Sequence, residues 1–256
     1  MEVHSHSHTS DPDSHRGRKK WTHYFWEFFM LFLAVSAGFL VENQREHFVE
    51  HQRAKIYATN LYDELKKDTT QLTELSRDLI RVANKLDTFC LLVKEDHKQS
   101  LTNGMLYYYS SYVTNVQYFS CNNTTIEQLK SSGNLRIMGN KLAYKISEYD
   151  RKNRELEKEY SLSKVEFSKM EDLHFKVFDI YLSEKMLGDP TVKPRDSVLR
   201  LIDLPVSHDP GLMREYAGWL KFESGIYKFQ SDRYLAQLKK LAIELLTILE
   251  EEYRFK

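Results

Sequence analysis

The 256-residue chain carries 37 Lys and Arg against 37 Asp and Glu, a formal net charge of zero, so its bulk composition holds no basic footprint for nucleic acid. Nine Gly and five Pro leave little material for many tight turns, which argues for a mostly helical protein.

Residues 1–20 (MEVHSHSHTSDPDSHRGRKK) are polar, lack apolar periodicity and are expected to be disordered. His4, His6, His8 and His15 could ligate a transition metal, as His-rich tracts do. With no cysteine partner and no fixed geometry, a solvated tail that binds metal only incidentally is the preferred reading.

Residues 28–41 (FFMLFLAVSAGFLV) are fourteen consecutive positions without a charge. A helix needs roughly 20 residues to cross a bilayer. Counting from Trp21 supplies 21, with His23 and Glu27 the only ionisable members, both near the amino end where side chains snorkel toward headgroups. Trp21, Tyr24 and Trp26 suit an interfacial aromatic belt. The expected element is a transmembrane helix over residues 21–41. A soluble core helix is one alternative, and a cleaved signal peptide is another, with Val35, Ser36 and Ala37 as its cleavage site. Apolar character continuing through Val41, and the long leading segment, favour the span. Ala34, Ala37 and Gly38 allow close approach of another helix within the bilayer.

Arg16, Arg18, Lys19 and Lys20 crowd the amino side of the span, against Arg45, Arg53 and Lys55 beyond it. That asymmetry keeps the amino end in the cytoplasm and the bulk of the chain outside. No Pro or Gly falls between Gly38 and Gly104, so the span is expected to continue as a stalk helix over residues 42–94. Leu65, Leu72, Leu75, Leu79, Val82, Leu86, Phe89 and Val93 alternate steps of three and four, with Asp68 filling one position, which is the spacing of a coiled-coil or bundle seam. Such a stripe needs a partner, either elsewhere in this chain or in another copy.

The polar run ending in Asn103-Gly104 reads as a turn. Tyr107, Tyr108 and Tyr109 follow in succession and cannot share one helix face. They either cap a helical core or form a surface that recognises sugars or peptides. Cys90 and Cys121 are the only cysteines. An antiparallel hairpin of the residues up to 94 with residues 105–120 holds them roughly 20 Å apart, beyond the reach of a disulfide. At residues 122–149, Thr124 or Thr125 caps a short helix with Glu127 or Gln128 completing the box, and Ser131, Ser132, Gly133 and Asn134 form a structural turn. Asn140 then starts a longer helix.

The LKSSGNL corner at 129–135, the span with its early Glu27, and the Glu42-Asn43 and Arg45-Glu46-His47 that follow resemble a family of single-span membrane proteins abundant in Bacteroidota, whose members often open, like residues 1–8, with MEVH and further histidines. The resemblance implies a Gram-negative inner membrane and a periplasmic domain. It implies no activity.

Residues 141–187 read as one long charged helix, with 150–158 (DRKNRELEK) solvated. Gly188, Pro190, Pro194, Pro205 and Asp209-Pro210-Gly211 mark a loop region whose Val198–Ile202 core forms a short helix, and a final helix runs over about 216–253. The expected fold is all-α: a transmembrane helix, a stalk, and an antiparallel helical bundle over 105–256 within a periplasmic domain spanning 42–256.

Nucleophile elbows, zinc-protease, Rossmann and calcium-loop spacings are absent, no cofactor is implied, and the chain reads as a non-enzyme. Glu27 stands out, because an intramembrane carboxylate is a functional hypothesis by default. The leading reading is a membrane-anchored periplasmic scaffold or interaction protein that self-associates or joins another membrane protein through its seam. One alternative is an ion-coupled partner subunit of a multispan motor or transport complex, with Glu27 as relay. The other is a periplasmic ligand sensor acting through a partner.

Overall fold

The computed structural model describes residues 16–94, 102–115, 117–181 and 204–253. His4, His6, His8, His15, the disordered tail expected over residues 1–15, and the loop with its short helix at 198–202 lie outside the described residues. Among the described residues every regular element is helical, and the one β feature is an isolated antiparallel bridge between Phe178 and Val206.

Helix α1 is Arg16–Lys94. It starts five residues before the expected boundary, so Arg16–Lys20 are helical rather than part of the tail. Arg and Lys are good helix formers, and extending an existing helix is far easier than nucleating one. Further on come α2 (Thr102–Ser110), a 3₁₀ turn (Ser111–Asn115), α3 (Thr124–Ser131), a second 3₁₀ turn (Asn134–Met138) and α4 (Asn140–Val177). The chain ends in α5 (Pro210–Phe229), a π-helical turn (Gln230–Leu235) and α6 (Ala236–Tyr253).

The described chain divides into two units, Met1–Ala54 and Lys55–Lys256. In the first, the apolar stretch beginning at Trp21 reaches a mean hydropathy of 1.8, long and apolar enough to cross a membrane, and none of that window is buried.

In the second unit the seam of α1 is filled from within the chain. Ala58, Leu61, Leu65, Asp68, Leu72, Leu75, Leu79, Leu86 and Phe89 are all buried. Hydrogen bonds join Tyr62 to Glu250, Ser76 to Ser231, Ala83 to Ser224 and Cys90 to Ala217. Numbers rise on α1 as they fall on α5 and α6, so the two runs point in opposite directions. Helix α4 packs on both α5 and α6 and contributes Leu142, Ile146, Tyr149 and Leu156 to the same interior. From Lys55 on, α1 is thus a packed member of a helical body rather than a free stalk.

Several expected boundaries move for identifiable reasons. Asn103 and Gly104 do not turn the chain but lie in the first turn of α2, where Asn103 donates to the Leu204 carbonyl at 3.0 Å. Helix α4 stops at Val177 instead of near residue 187, because Phe178 takes an extended conformation (φ −119°, ψ 146°) and pairs with Val206. The stretch 150–158 is not simply solvated: Asp150 and Asn153 are buried, the former paired with Lys130 at 2.8 Å and also with Arg154. Helix α5 starts at Pro210, six residues before the expected start. Asp209 is its N-cap, accepting from the Gly211 and Leu212 amides, and Pro210 occupies the first helical position, where its missing N–H costs nothing.

Asp87 fastens α1 to α5. Burial pushes its carboxyl up, but donors from Lys221, Lys228 and Ser224 outweigh that and hold it at about 2. A carboxyl whose folded value lies below its unfolded value of about 3.9 stabilises the fold above that value and loses the contribution as pH falls. The difference in unfolding free energy between wild type and Asp87→Asn is therefore expected to be full near neutrality and to shrink as pH falls from about 4 to about 2. Denaturant melts of the full chain in detergent at stepped pH check this. A difference independent of pH contradicts it.

Candidate functional site

The residues expected at a membrane interface are all on the surface of α1: Trp21 is 81% exposed, Tyr24 64% and Trp26 60%. The Trp26 ring meets Phe29 edge-on at 5.9 Å, and Phe25 stacks on Phe29 at 6.2 Å, contacts between neighbouring turns that leave the outer faces open. Glu27 is paired one turn back with His23, Oε1 to Nε2 at 3.1 Å. Ala34, Ala37 and Gly38 are exposed, and a Cβ built on Gly38 would meet nothing within 4 Å.

Within the helical body the densest polar constellation sits where Glu64 and Asp68, one turn apart on α1, receive the segment leading into α3. Asp68 has no exposed surface. It accepts from the Tyr149 hydroxyl at 2.7 Å, the Asn122 amide at 3.0 Å, the Asn122 side chain at 2.7 Å and the Cys121 thiol at 3.3 Å. Glu64 accepts from the Thr125 hydroxyl at 3.0 Å and the Thr125 amide at 3.2 Å. It thereby caps α3 from outside, satisfying an amide the helix cannot satisfy itself. The expected capping box is replaced: Asn123 precedes α3 without a side-chain cap bond and its amide instead donates to Glu127 at 3.0 Å.

The thiol and the phenol of this arrangement keep their protons. Burial, then the Asp68 charge, pushes the Cys121 thiol far above its usual range, and burial does the same for the Tyr149 hydroxyl. Burial also raises Glu64, although its bonds from Thr125 oppose that. Cys90, bonded to the Ala217 carbonyl at 3.3 Å, is pushed up to about 11 by burial and the nearby Asp87. A thiol so raised is a poor nucleophile at neutral pH. The cysteines are free, and Cys121 lies against Asp68, six helical turns along α1 from Cys90.

His174 is buried against Phe178 and shares a 2.6 Å hydrogen bond with the Tyr216 hydroxyl. Burial lowers it to about 4, so it is neutral at ordinary pH. A cleft of about 710 Å³ nearby is lined by Cys90, Val93, His208, Met213 and Arg214 among others. It contains no paired base and nucleophile among the described residues. No group of three or more His, Cys, Asp or Glu among them is placed to hold a metal ion.

The tyrosine run separates into two roles. Tyr107 is buried, donates to the Pro205 carbonyl at 2.6 Å and accepts from the Asp179 amide at 2.9 Å. Tyr108, Tyr109 and Tyr112 surround the Lys85 ammonium at 5.5, 5.4 and 5.5 Å from their ring centres, so their faces are occupied by a cation of the same chain. Sequence reasoning missed Lys85, whose relation to the tyrosines requires the α1–α2 fold-back.

The Ser131–Asn134 corner is present, with more structure than a single tight turn. Ser132 and Gly133 close α3, Gly133 at φ 69° and ψ 9°; the 3₁₀ turn intervenes, and Gly139 at φ 76° and ψ 152° precedes α4. Asn134 donates to the Tyr57 hydroxyl at 3.3 Å, pinning the corner to α1.

Comparison of the chain with protein-family models, with curated proteins and with solved structures finds no match.

Two outcomes follow from this geometry. Tyr149→Phe deprives the buried Asp68 of a donor and is expected to cost about 1–3 kcal/mol, seen as a lower thermal midpoint by circular dichroism; an unchanged midpoint contradicts the role assigned to the hydroxyl. Gly133→Asn should be close to neutral, since Asn tolerates the left-handed region, whereas Gly139→Asn should cost about 1–3 kcal/mol, its ψ lying where essentially only Gly is found. Equal costs at the two glycines refute that distinction.

Proposed function

We propose that this chain is a membrane-anchored helical interaction or scaffold protein. Residues 21–41 cross the inner membrane of a Gram-negative cell, the amino end stays in the cytoplasm, and an antiparallel helical bundle over residues 55–256 stands in the periplasm. The observation that carries the reading is that no residue of the apolar stretch beginning at Trp21 is buried, while the seam further along the same helix is. A soluble core helix would bury its apolar residues. An unburied apolar run of this length finds its low-energy surroundings in hydrocarbon.

The supporting features are the aromatic flank, the four cations at residues 16–20, and the resemblance of the corner and the span to the Bacteroidota single-span family. Among the described residues every buried side-chain nitrogen and oxygen has a hydrogen-bond partner, which suits a structural and binding role. Because the α1 seam is filled by α4, α5 and α6, the surface offered to partners is the membrane segment and the outside of the body.

The test is fractionation and topology mapping of the tagged full-length chain. We expect it to stay in the membrane pellet after alkaline carbonate washing, with the body digested by protease added to spheroplasts and an amino-terminal tag protected until lysis. Recovery in the soluble fraction, or a mature amino terminus near Gly38, refutes the anchor. Mild affinity purification from the same membranes reads the partner. Stoichiometric recovery of a multispan protein, with activity lost in Glu27→Gln, would put the ion-coupled reading ahead of the scaffold.

A further inference from the structure

We propose that His47 and His51 form a chelating site for a divalent transition-metal ion on the outside of α1, holding it through two imidazoles and leaving its other coordination positions open. The site lies beyond residues 21–41 on the same helix and does not depend on their crossing a membrane.

Both histidines are exposed and both lie within α1, four residues apart. At about 100° per residue a step of four returns to the same face, with Cβ atoms about 5–6 Å apart. Two imidazoles so placed can turn toward one ion at the roughly 2.0–2.1 Å that a nitrogen ligand requires. The backbone holds the pair ready. No Gly or Pro falls between Gly38 and Gly104, and α1 continues well beyond the pair on either side, so a metal ion has only the two rings left to order.

The state of these rings separates them from other histidines of the chain. His23 is paired with Glu27 at 3.1 Å, and His174 is buried with a 2.6 Å hydrogen bond to Tyr216. Among the described residues His47 and His51 make no hydrogen bond, ion pair or ring contact, so their nitrogens face water, which a metal ion displaces. Imidazole is a ligand that zinc, copper and nickel all accept. Glu50 stands beside His51 but has a partner of its own, and no group of three His, Cys, Asp or Glu forms among the described residues. Structural zinc sites close with four protein ligands. A site of two ligands instead exchanges its ion with water and other donors, which suits taking up a labile divalent ion and passing it on.

The test is zinc binding to the full chain in detergent, read by calorimetry. The parent carries His4→Asn, His6→Asn, His8→Asn and His15→Asn, which remove the amino-terminal histidines as competing ligands, and it is purified without a polyhistidine tag. We expect this parent to bind zinc, His47→Asn and His51→Asn each to weaken binding roughly tenfold or more, as loss of one arm of a chelate does, and His208→Asn to leave it unchanged. Geometry supplies the sharper readout. Adding Asn43→His to His51→Asn should restore binding, because it rebuilds a step of four from His47. Adding Gln52→His should not, because a step of five turns the second ring about 140° away. All four of these positions are exposed, and circular dichroism of each variant checks that the helix is intact. No zinc binding by the parent, undiminished binding by His47→Asn or His51→Asn, or equal rescue by Asn43→His and Gln52→His each overturns the site.

Discussion

A carboxylate with no exposed surface lies in the middle of the apolar seam of α1, and much of the helical body is arranged around its needs. A carboxyl group removed from water is tolerated only where hydrogen-bond partners replace the water it has lost. Asp68 finds those donors in Tyr149 of α4, in the backbone and side chain of Asn122, and in the Cys121 thiol. Each donor fixes something larger than itself. Tyr149 sets the register of α4 against α1. Asn122 ties down the segment entering α3, which Glu64 then caps one turn earlier on α1. The polar seam position thus selects one arrangement among the many that an unbroken leucine stripe would allow.

A second region of the body is fixed by related means. Asp87 draws Lys221, Lys228 and Ser224 of α5 onto α1, while Phe89, Phe178, Tyr107 and Tyr216 meet edge to face around His174. The π-helical turn at Gln230–Leu235 falls where α5 passes into α6, and it brings Ser231 within 2.6 Å of Ser76. A π turn widens a helix by one residue. Its place here lets the apolar positions of α5 and of α6 both face α1 although they are not in one continuous heptad register.

What the amino-acid order disclosed depended on the range of the interaction. The seam residues were legible because a period of three and four is written locally, and all of the stripe from Leu65 to Phe89 is buried, Val93 alone being half-buried. The occupant of the seam was not legible, since pairing residues 62 with 250 or 87 with 221 is a matter of chain topology. Asp68 could be seen to interrupt the stripe, but its donors come from 53 to 81 positions away. Two local signals were available and misjudged. Asp209-Pro210 is a capping signature as much as a loop signature, and Asn103-Gly104 is a turn only where the following residues do not continue as helix. The end of α4 at Val177 carried no local sign, because nothing in the preceding sequence foretells the bridge from Phe178 to Val206.

The two halves of α1 also show why apolar spacing alone does not define an interface. Both halves carry residues at steps of three and four. Beyond Lys55 the positions are filled by large aliphatic side chains that α4, α5 and α6 cover, so that stripe is spent on folding. Across residues 23–41 the same spacing collects His23, Glu27, Met30, Ala34, Ala37 and Val41, none of them buried, while Phe25, Phe28, Phe32 and Phe39 fall on the opposite side. In water that distribution would be a poor helix–helix contact, since it buries almost no apolar area. In hydrocarbon the criterion reverses: bulky apolar groups gain nothing by leaving the lipid, and close backbone approach with exchange of hydrogen bonds is what favours association. The same spacing therefore accompanies a buried seam beyond Lys55 and an exposed face over residues 23–41.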